Sequence, residues 1–346
     1  MRTLSSQVLD HAGKSVVLRG WLHKKRAMGA LMFVVLRDRG GLIQIVVKDE
    51  AEQEKLRGMQ VGTVLEVTGK VKAEPRATGG AEIHEPSLAV LVPVEAEPPI
   101  EIDKPIDHTP DNLDTLFEHR VVNLRNLDEQ RIFRVREALI GSIRNFLSQN
   151  EFVEIQTPKL IAGATEGGAE VFKLKYFDQE ATLAQSPQFY KQIMVGAFER
   201  VFEIGPAFRA EPSLTTRHLA ETTMLDIEMG FIDGHEDVLK MTEQLVYSVL
   251  TSVYKDSKDD LEKLKAPELK LKKEFPRYTV AQVHEMFTKG TGQDTTKEKD
   301  LIPAEERWIC DYSVKEHGCE AVFVSEFPVE AMKFYHMVNP DNPKTV

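Results

Sequence analysis

Residues 208–231 read FRAEPSLTTRHLAETTMLDIEMGF. Two arginines, Arg209 and Arg217, stand at the ends of a short polar loop, with Glu211 and His218 within their reach. A strand of alternating chemistry follows. Met224, Asp226 and Glu228 point one way, while Leu225, Ile227, Met229 and Phe231 point the other. Period-two alternation marks a half-buried strand. Its apolar side packs on a core, which leaves Asp226 and Glu228 facing the space under the arginine loop. Guanidinium forks match carboxylate and phosphate oxygens bidentately, so fixed arginines over fixed carboxylates suit a zwitterionic substrate beside a polyphosphate. A surface hairpin with ordinary ion pairs is the competing reading, and the alternation argues against it.

Outward from this stretch, size and composition set bounds. A chain of 346 residues suggests about two domains, at roughly 100–200 residues each. Its hydrophobic content of 42% is ample for a core. No apolar run approaches the roughly 20 residues of a membrane span, and MRTLSSQVLDHAGK lacks a signal-peptide pattern. A cytoplasmic protein without membrane association is expected. Cys310 and Cys319 match neither a zinc knuckle nor a CxxC pair, so they read as reduced thiols. The net charge of −11 argues against loose nucleic-acid binding, yet a local basic patch binds a phosphate backbone within an acidic whole. Lys24, Lys25 and Arg26, with Arg37 and Arg39 nearby, offer such a patch; a solvated face is the alternative. Gly13-Lys14-Ser15 imitates the end of a P-loop, but Val8 stands where a glycine is required. No GxGxxG or HExxH motif occurs.

Residues 14–94 read as all-β, with strands expected at 15–23, 31–37, 42–48, 64–71 and 89–94. Asp38-Arg39-Gly40-Gly41 is a hairpin signal. Five such strands suit an OB-fold barrel, whose second and third strands bind oligonucleotides. Pairing Arg37 with Leu42 places Phe33, Val35, Arg37, Leu42, Gln44 and Val46 on one face. Phe33 then offers a ring for base stacking, Gln44 an amide and Arg37 a charge; by pattern alone Phe33 reads equally well as barrel core. The proline-rich, acidic stretch 95–112 reads as a connector. Over 128–150 the period turns helical, with Ile132, Val135, Leu139, Ile143 and Phe146 on one stripe. Beyond it come strands at 171–177, 182–185, 200–204 and 223–232, with helices at 188–198 and from 235 to about 255. The segment 255–273, rich in both charges, reads as solvated surface.

The words of the chain add a resemblance. Residues 208–231 resemble the second signature motif of class II aminoacyl-tRNA synthetases, in the form of the aspartate, asparagine and lysine subgroup. ATEGGAEVF (164–172) and LAQSPQFYKQ (183–192) are similar to aspartyl-tRNA synthetases, where asparaginyl enzymes usually depart from the QSPQ-and-YK pattern. FVEIQTP, ending at Pro158, resembles the first class II motif. The similarity runs from about Val16 to the last residues and is nearest to the compact, archaeal-type branch. It implies an α+β protein: an OB-fold anticodon-binding domain at 1–94, a hinge at 95–120, and a class II catalytic domain at 121–346 on an antiparallel sheet flanked by helices. It also implies a homodimer, with Pro158 packing near the two-fold axis.

The resemblance implies an aspartate–tRNA ligase, using ATP and Mg²⁺ to make aspartyl-adenylate from L-aspartate before transfer to tRNA(Asp). That first step needs no protein nucleophile, only an aligned carboxylate and neutralised charge. Arg209 is the candidate clamp on the α-phosphate and the reacting carboxylate. Ala210, Glu211, Arg217, His218 and Leu219 complete the expected ATP site, Glu211 toward adenine and Arg217 and His218 toward the distal phosphates. For aspartate, Lys191 takes the side-chain carboxylate. Asp226 and Glu166 take the ammonium group, with Ser186, Gln188 and Arg209 also in the site. Ser186-Pro187 reads as a cap and first helical position, which puts Gln188 and Lys191 on one helix face. Without the resemblance, Lys191 and Glu166 read as an exposed helix lysine and a loop acid. In the barrel, Phe33 and Gln44 inherit anticodon contacts, Arg26 a basic stem contact, and His23 and Arg76 lie in the same region.

One departure stands out. After Arg307 the sequence has no arginine, and Gly318 is its only glycine there, so the third class II motif is absent. The Mg²⁺ ligands and a further aspartate-binding arginine are expected beyond Val346. The chain therefore reads as a fragment, inactive alone. Two rivals remain: a relaxed ligase that also charges tRNA(Asn), which His23 favours and Arg76 leaves open, and a non-catalytic tRNA-binding paralogue.

Overall fold

The computed structural model describes residues 2–106, 110–163, 171–211 and 219–346, in an α+β arrangement of two compact units, Met1–Arg134 and Val135–Val346. In the first unit β1 (Ser15–Met28), β2 (Leu31–Asp38), β3 (Gly41–Val47), β4 (Val64–Ala73) and β5 (Ala81–Val92) close a barrel in the order β1-β2-β3-β5-β4. The β3–β5 contact is parallel, and the other contacts are antiparallel. Alternation in β2 and β3 sends Val34, Leu36, Ile43 and Ile45 into a core shared with Leu18, Leu65, Val67 and Ile83. The hairpin register is the expected one: Phe33 opposite Val46, Val35 opposite Gln44, Arg37 opposite Leu42. Gly41 closes the turn at φ 130°, where a side chain is strained.

Two strand boundaries depart widely from expectation, and both involve bulges. β1 runs on to Met28 because a register shift between Leu22 and Lys24 lets the strand bend without ending. β5 starts at Ala81, inside a stretch whose charges and Pro86 obscure it. A shift opposite Thr68–Lys70 and a left-handed Glu85 absorb the irregularity, as bulges commonly do. The connector at 95–106 carries no helix or strand. Asn126 nevertheless donates to the carbonyls of Ile102 (3.3 Å) and Lys104 (2.6 Å), so this stretch is tied to the residues before the long helix.

In the second unit β6 (Val153–Glu154), β7 (Leu160–Ile161), β8 (Lys173–Tyr176), β9 (Gln179–Leu183), β10 (Arg200–Phe208) and β11 (Glu221–Met229) form two three-stranded sheets, β11-β10-β6 and β7-β9-β8. β10 and β11 are antiparallel, but β6 joins β10 in parallel, so the expected antiparallel sheet has a parallel edge. The long helix Leu127–Gln149 packs Val135, Leu139, Ile143 and Phe146 on a core built from Leu147, Phe152, Phe202, Leu245, Val249 and Val253. Leu225, Ile227 and Met229 of β11 join that core, as the alternation requires. Two expectations fail at the ends of these patterns. Ile132 is 45% exposed on its helix, and Phe231, past the end of β11, is 91% exposed with φ 53°. The unit also holds the helices His235–Asp256, which supplies Leu245, Val249 and Val253 to that core, Lys258–Lys263, Val280–Thr291 and Pro303–His317, with the parallel pair β12 (Arg277–Thr279) and β13 (Phe323–Ser325).

Candidate functional site

The first unit carries a cleft on its barrel wall. Lys24, Arg26, Phe33, Val35, Gln44 and Thr78 line a cavity of about 200 Å³. Phe33 stands on the outward face of β2, half-buried, with core residues on the other face. Its register partner Arg26 holds its guanidinium 5.0 Å from the ring centroid, a cation–π contact that orients both. Gln44 donates from Nε2 to Glu82 Oε1 at 2.8 Å, and His84 meets the other Glu82 oxygen at 2.8 Å. Because a carboxylate only accepts, this fixes the amide and turns its carbonyl away from Glu82. The wall thus offers a ring, a cation and an oriented amide, the combination that binds unstacked bases.

The remaining barrel candidates do not line that cleft. His23 sits in the β1 bulge and is buried. Burial, and then the nearby Arg37 guanidinium, holds its imidazole below the usual histidine range. Arg37 is also buried; it donates to the carbonyl of Arg125 and lies 5.3 Å from the Trp21 ring. Arg76 is exposed in the β4–β5 turn and does not line the cleft.

In the second unit, β10 and β11 set the site. Their register pairs Glu203 with Asp226 and Val201 with Glu228, so these side chains share the face opposite the core. The helix Gln188–Phe198 lowers Lys191 onto this face, where it is 4% exposed. Its ammonium lies 3.3 Å from Asp226 and 3.4 Å from Glu228 and reaches the carbonyl of Ile227 at 3.4 Å. Gln188 donates to Glu228 at 3.3 Å. The helix starts one residue later than expected: Pro187, not Ser186, is the N-cap, and the buried Ser186 hydroxyl accepts from the Gln188 N–H at 3.1 Å. Arg209 follows β10, half-buried, with its N–H bonded to Ala220 at 3.0 Å. Ala210 and Glu211 follow half-buried, and Leu219 is 55% exposed. Pro158 is exposed just past β6. Glu166, Arg217 and His218 lie outside the described residues.

Residues that the sequence did not single out complete both places. Glu82 orients Gln44 in the barrel. In the second unit Glu203, 1% exposed, accepts from Thr157 and Lys159. The only sequence signal for Glu203 was its parity with Arg209 along β10.

Residues 112–346 match the family described as tRNA synthetases class II (D, K and N), and residues 16–91 match the OB-fold nucleic acid binding domain. The aspartate–tRNA(Asp/Asn) ligase of Archaeoglobus fulgidus is 38% identical over 99% of this chain and 79% of that protein. The chain belongs to the class II tRNA synthetases. The aspartate–tRNA(Asp) ligase of Pyrococcus abyssi is 36% identical, covering 98% of the synthetase chain and 78% of that protein. Among solved structures, asparaginyl-tRNA synthetase from Pyrococcus horikoshii, complexed with asparaginyl-adenylate, superposes with a TM-score of 0.88. It is 31% identical and covers 100% of the synthetase chain and 79% of its own. Class II synthetases are ligases that join an amino acid to tRNA, so an ATP site and an amino-acid site are expected of this fold. Among the described residues no helix is long and apolar enough to cross a membrane.

Proposed function

We propose that the synthetase is an aspartate–tRNA ligase. The observation that carries this reading is Lys191, an ammonium 4% exposed between Asp226 and Glu228. A buried lysine paired with two acids on one strand face makes a socket for a zwitterion with an acidic side chain. The substrate side-chain carboxylate takes Lys191, and its ammonium takes Asp226, with Glu166 as a second acid. Gln188 and Ser186 border the socket. A neutral amide opposite Lys191 leaves the ammonium without a counter-charge, and such mismatches are costly in closed sites.

In this reading Arg209 spans the reacting carboxylate and the α-phosphate of ATP, with Ala210, Glu211, Arg217, His218 and Leu219 around the nucleotide. A carboxylate oxygen of aspartate attacks the α-phosphorus, the α–β bridge breaks and pyrophosphate leaves. A terminal ribose hydroxyl of tRNA(Asp) then attacks the acyl carbon and AMP departs. Mg²⁺ accompanies ATP; among the described residues no group of three His, Cys, Asp or Glu side chains is placed to hold a metal ion. The barrel cleft binds the anticodon through Phe33, Gln44 and Arg26, with His23 and Arg76 as further anticodon candidates outside the cleft lining. A homodimer in the cytoplasm, meeting near Pro158, fits the exposed Val153 of β6.

The A. fulgidus relative bears the name of a tRNA(Asp/Asn) ligase and the P. abyssi relative that of a tRNA(Asp) ligase, so charging of both tRNAs is the second reading. Aspartate-dependent ATP–pyrophosphate exchange by the full-length protein tests the first, with aspartate strongly preferred over asparagine and lysine. An asparagine preference would overturn it. Charging of tRNA(Asn) with aspartate would establish the second.

A further inference from the structure

We infer that Lys159 and Glu203 form a charge lock that reserves Asp226 for the substrate ammonium. The inference rests on the reading of this face as an amino-acid socket and assigns Glu203 and Lys159 a positioning role in it.

Glu203 is 1% exposed. One carboxylate oxygen accepts from the Thr157 N–H at 3.1 Å and lies 2.9 Å from the Lys159 ammonium; the other accepts from the Thr157 hydroxyl at 2.7 Å. Lys159 also donates to the Thr157 hydroxyl at 2.9 Å. The chain makes room for this carboxylate: a Cβ on Gly205 would lie 2.9 Å from Glu203 Oε1 and 3.3 Å from its Cγ. A backbone carbonyl of Lys159 in turn accepts from Ala184 at 2.9 Å, just before the buried Gln185 and Ser186 that lead into the Lys191 helix.

The placement of Glu203 gives this pair a consequence beyond its own burial. It stands directly opposite Asp226 in the β10–β11 ladder, and such same-face pairs hold their Cβ atoms about 4.5–5.5 Å apart. Two cations, Lys159 and Lys191, therefore flank two adjacent carboxylates, each already assigned to its own partner. Lysine is a point charge on a flexible stem. If Glu203 lost its charge, Lys159 would be left partly buried without its carboxylate, on the face where Asp226 stands opposite position 203. It would then compete with the ammonium group of the substrate. A purely structural Glu203 would matter only for holding residues 157–159 against β10.

The two roles separate in a cycle of neutralising variants, read by calorimetric titration of the full-length protein with L-aspartate and, separately, with ATP. Glu203→Gln, which keeps the shape, is expected to weaken aspartate binding roughly tenfold while ATP binding changes less than about twofold. The double variant Lys159→Gln/Glu203→Gln removes the competitor along with the lock, and is expected to return aspartate affinity to within about threefold of the wild type. Failure of the double variant to recover would overturn the lock, as would equal weakening of ATP binding by Glu203→Gln. An unchanged aspartate affinity in Glu203→Gln would do the same. Where Glu203→Gln does not fold, the double variant decides alone, because it contains no unpaired charge; a tenfold loss there would show that Glu203 acts otherwise. A wild-type protein that binds no aspartate would overturn the socket reading itself, and the lock with it.

Discussion

The barrel wall and the β10–β11 face are built alike and finished differently. Each is an antiparallel strand pair with one side committed to a core, so each leaves a row of alternate residues facing outward. On the barrel wall that row stays open around Phe33: the ring is half-buried, Arg26 of the neighbouring β1 is exposed, and both line a cleft of about 200 Å³. On β10 and β11 the row is closed on itself, with Lys191 already held by Asp226 and Glu228, and Glu203 by Lys159. An open wall gains affinity by adding contacts, whereas a paired floor binds by exchanging partners. Exchange punishes any ligand that cannot replace the contacts it breaks, so the second unit is where selectivity concentrates. Adding contacts is more tolerant, and suits a long polyanion read at several points.

The largest expected effect tests the paired floor. Lys191→Met leaves Asp226 and Glu228 facing each other without their shared cation. Truncating one partner of a buried, hydrogen-bonded charge pair costs about 2–5 kcal/mol of binding, so aspartate binding is expected to fall by roughly a hundredfold. ATP binding should remain nearly intact. A variant that still prefers aspartate over asparagine in pyrophosphate exchange would remove Lys191 from the specificity assignment.

Next in size is the open wall. Phe33→Ala removes a stacking platform worth about 1–3 kcal/mol per base. The full-length protein should lose roughly tenfold in affinity for an Asp-anticodon stem-loop. Its unfolding midpoint should move little, since the ring lies outside the barrel core. Equal affinity for every stem-loop, together with a large drop in the midpoint, would return Phe33 to a packing role. Gln44→Ala should weaken the same stem-loop, and Glu82→Gln should do so only by freeing the Gln44 amide.

These two regions were not equally legible in the sequence. The barrel face followed from alternation and one hairpin signal, because a glycine turn fixes register and register fixes every side chain along the pair. The strand Glu221–Met229 was legible for the same reason. Helix and strand ends were less so: bulges at Leu22–Lys24 and Thr68–Lys70 break the period that pattern reading depends on. The charge partners were harder still. Lys191 meeting Asp226, and Lys159 meeting Glu203, are contacts across long sequence separations that no local pattern encodes. Lys191 was named because a family resemblance pointed to its position, and Glu203, without such a pointer, was missed.

A smaller effect separates charge from stacking on the wall. Lys24 and Arg26 supply positive charge beside Phe33, although Lys24 also lies 3.4 Å from Asp103. Phosphate contacts weaken with salt at a slope of about 0.7 per contact on single strands. Arg26→Gln is therefore expected to lower affinity for all stem-loops by a few-fold and to flatten the log–log salt dependence by roughly one contact. A loss confined to the Asp stem-loop would make Arg26 a base-reading residue instead.

The smallest effect concerns His23, buried in the β1 bulge. Its imidazole is held below the ordinary histidine value, by burial first and by Arg37 second, with Lys24 adding to the effect and Asp103 opposing it. The folded state thus favours the neutral ring, and the unfolded chain binds the proton more readily. By linkage the stabilisation from a neutral His23 is fully present above its unfolded value of about 6.5 and is lost as pH falls toward the folded value. Carboxylates elsewhere also titrate in acid, so the informative quantity is the difference between wild type and His23→Gln. That difference in unfolding free energy should be flat from pH 7 upward and should shift against the wild type between pH 6.5 and 5. If it were constant across that range, His23 would be as easily protonated in the fold as out of it. The bulge would then hold the ring open to solvent rather than sealed from it.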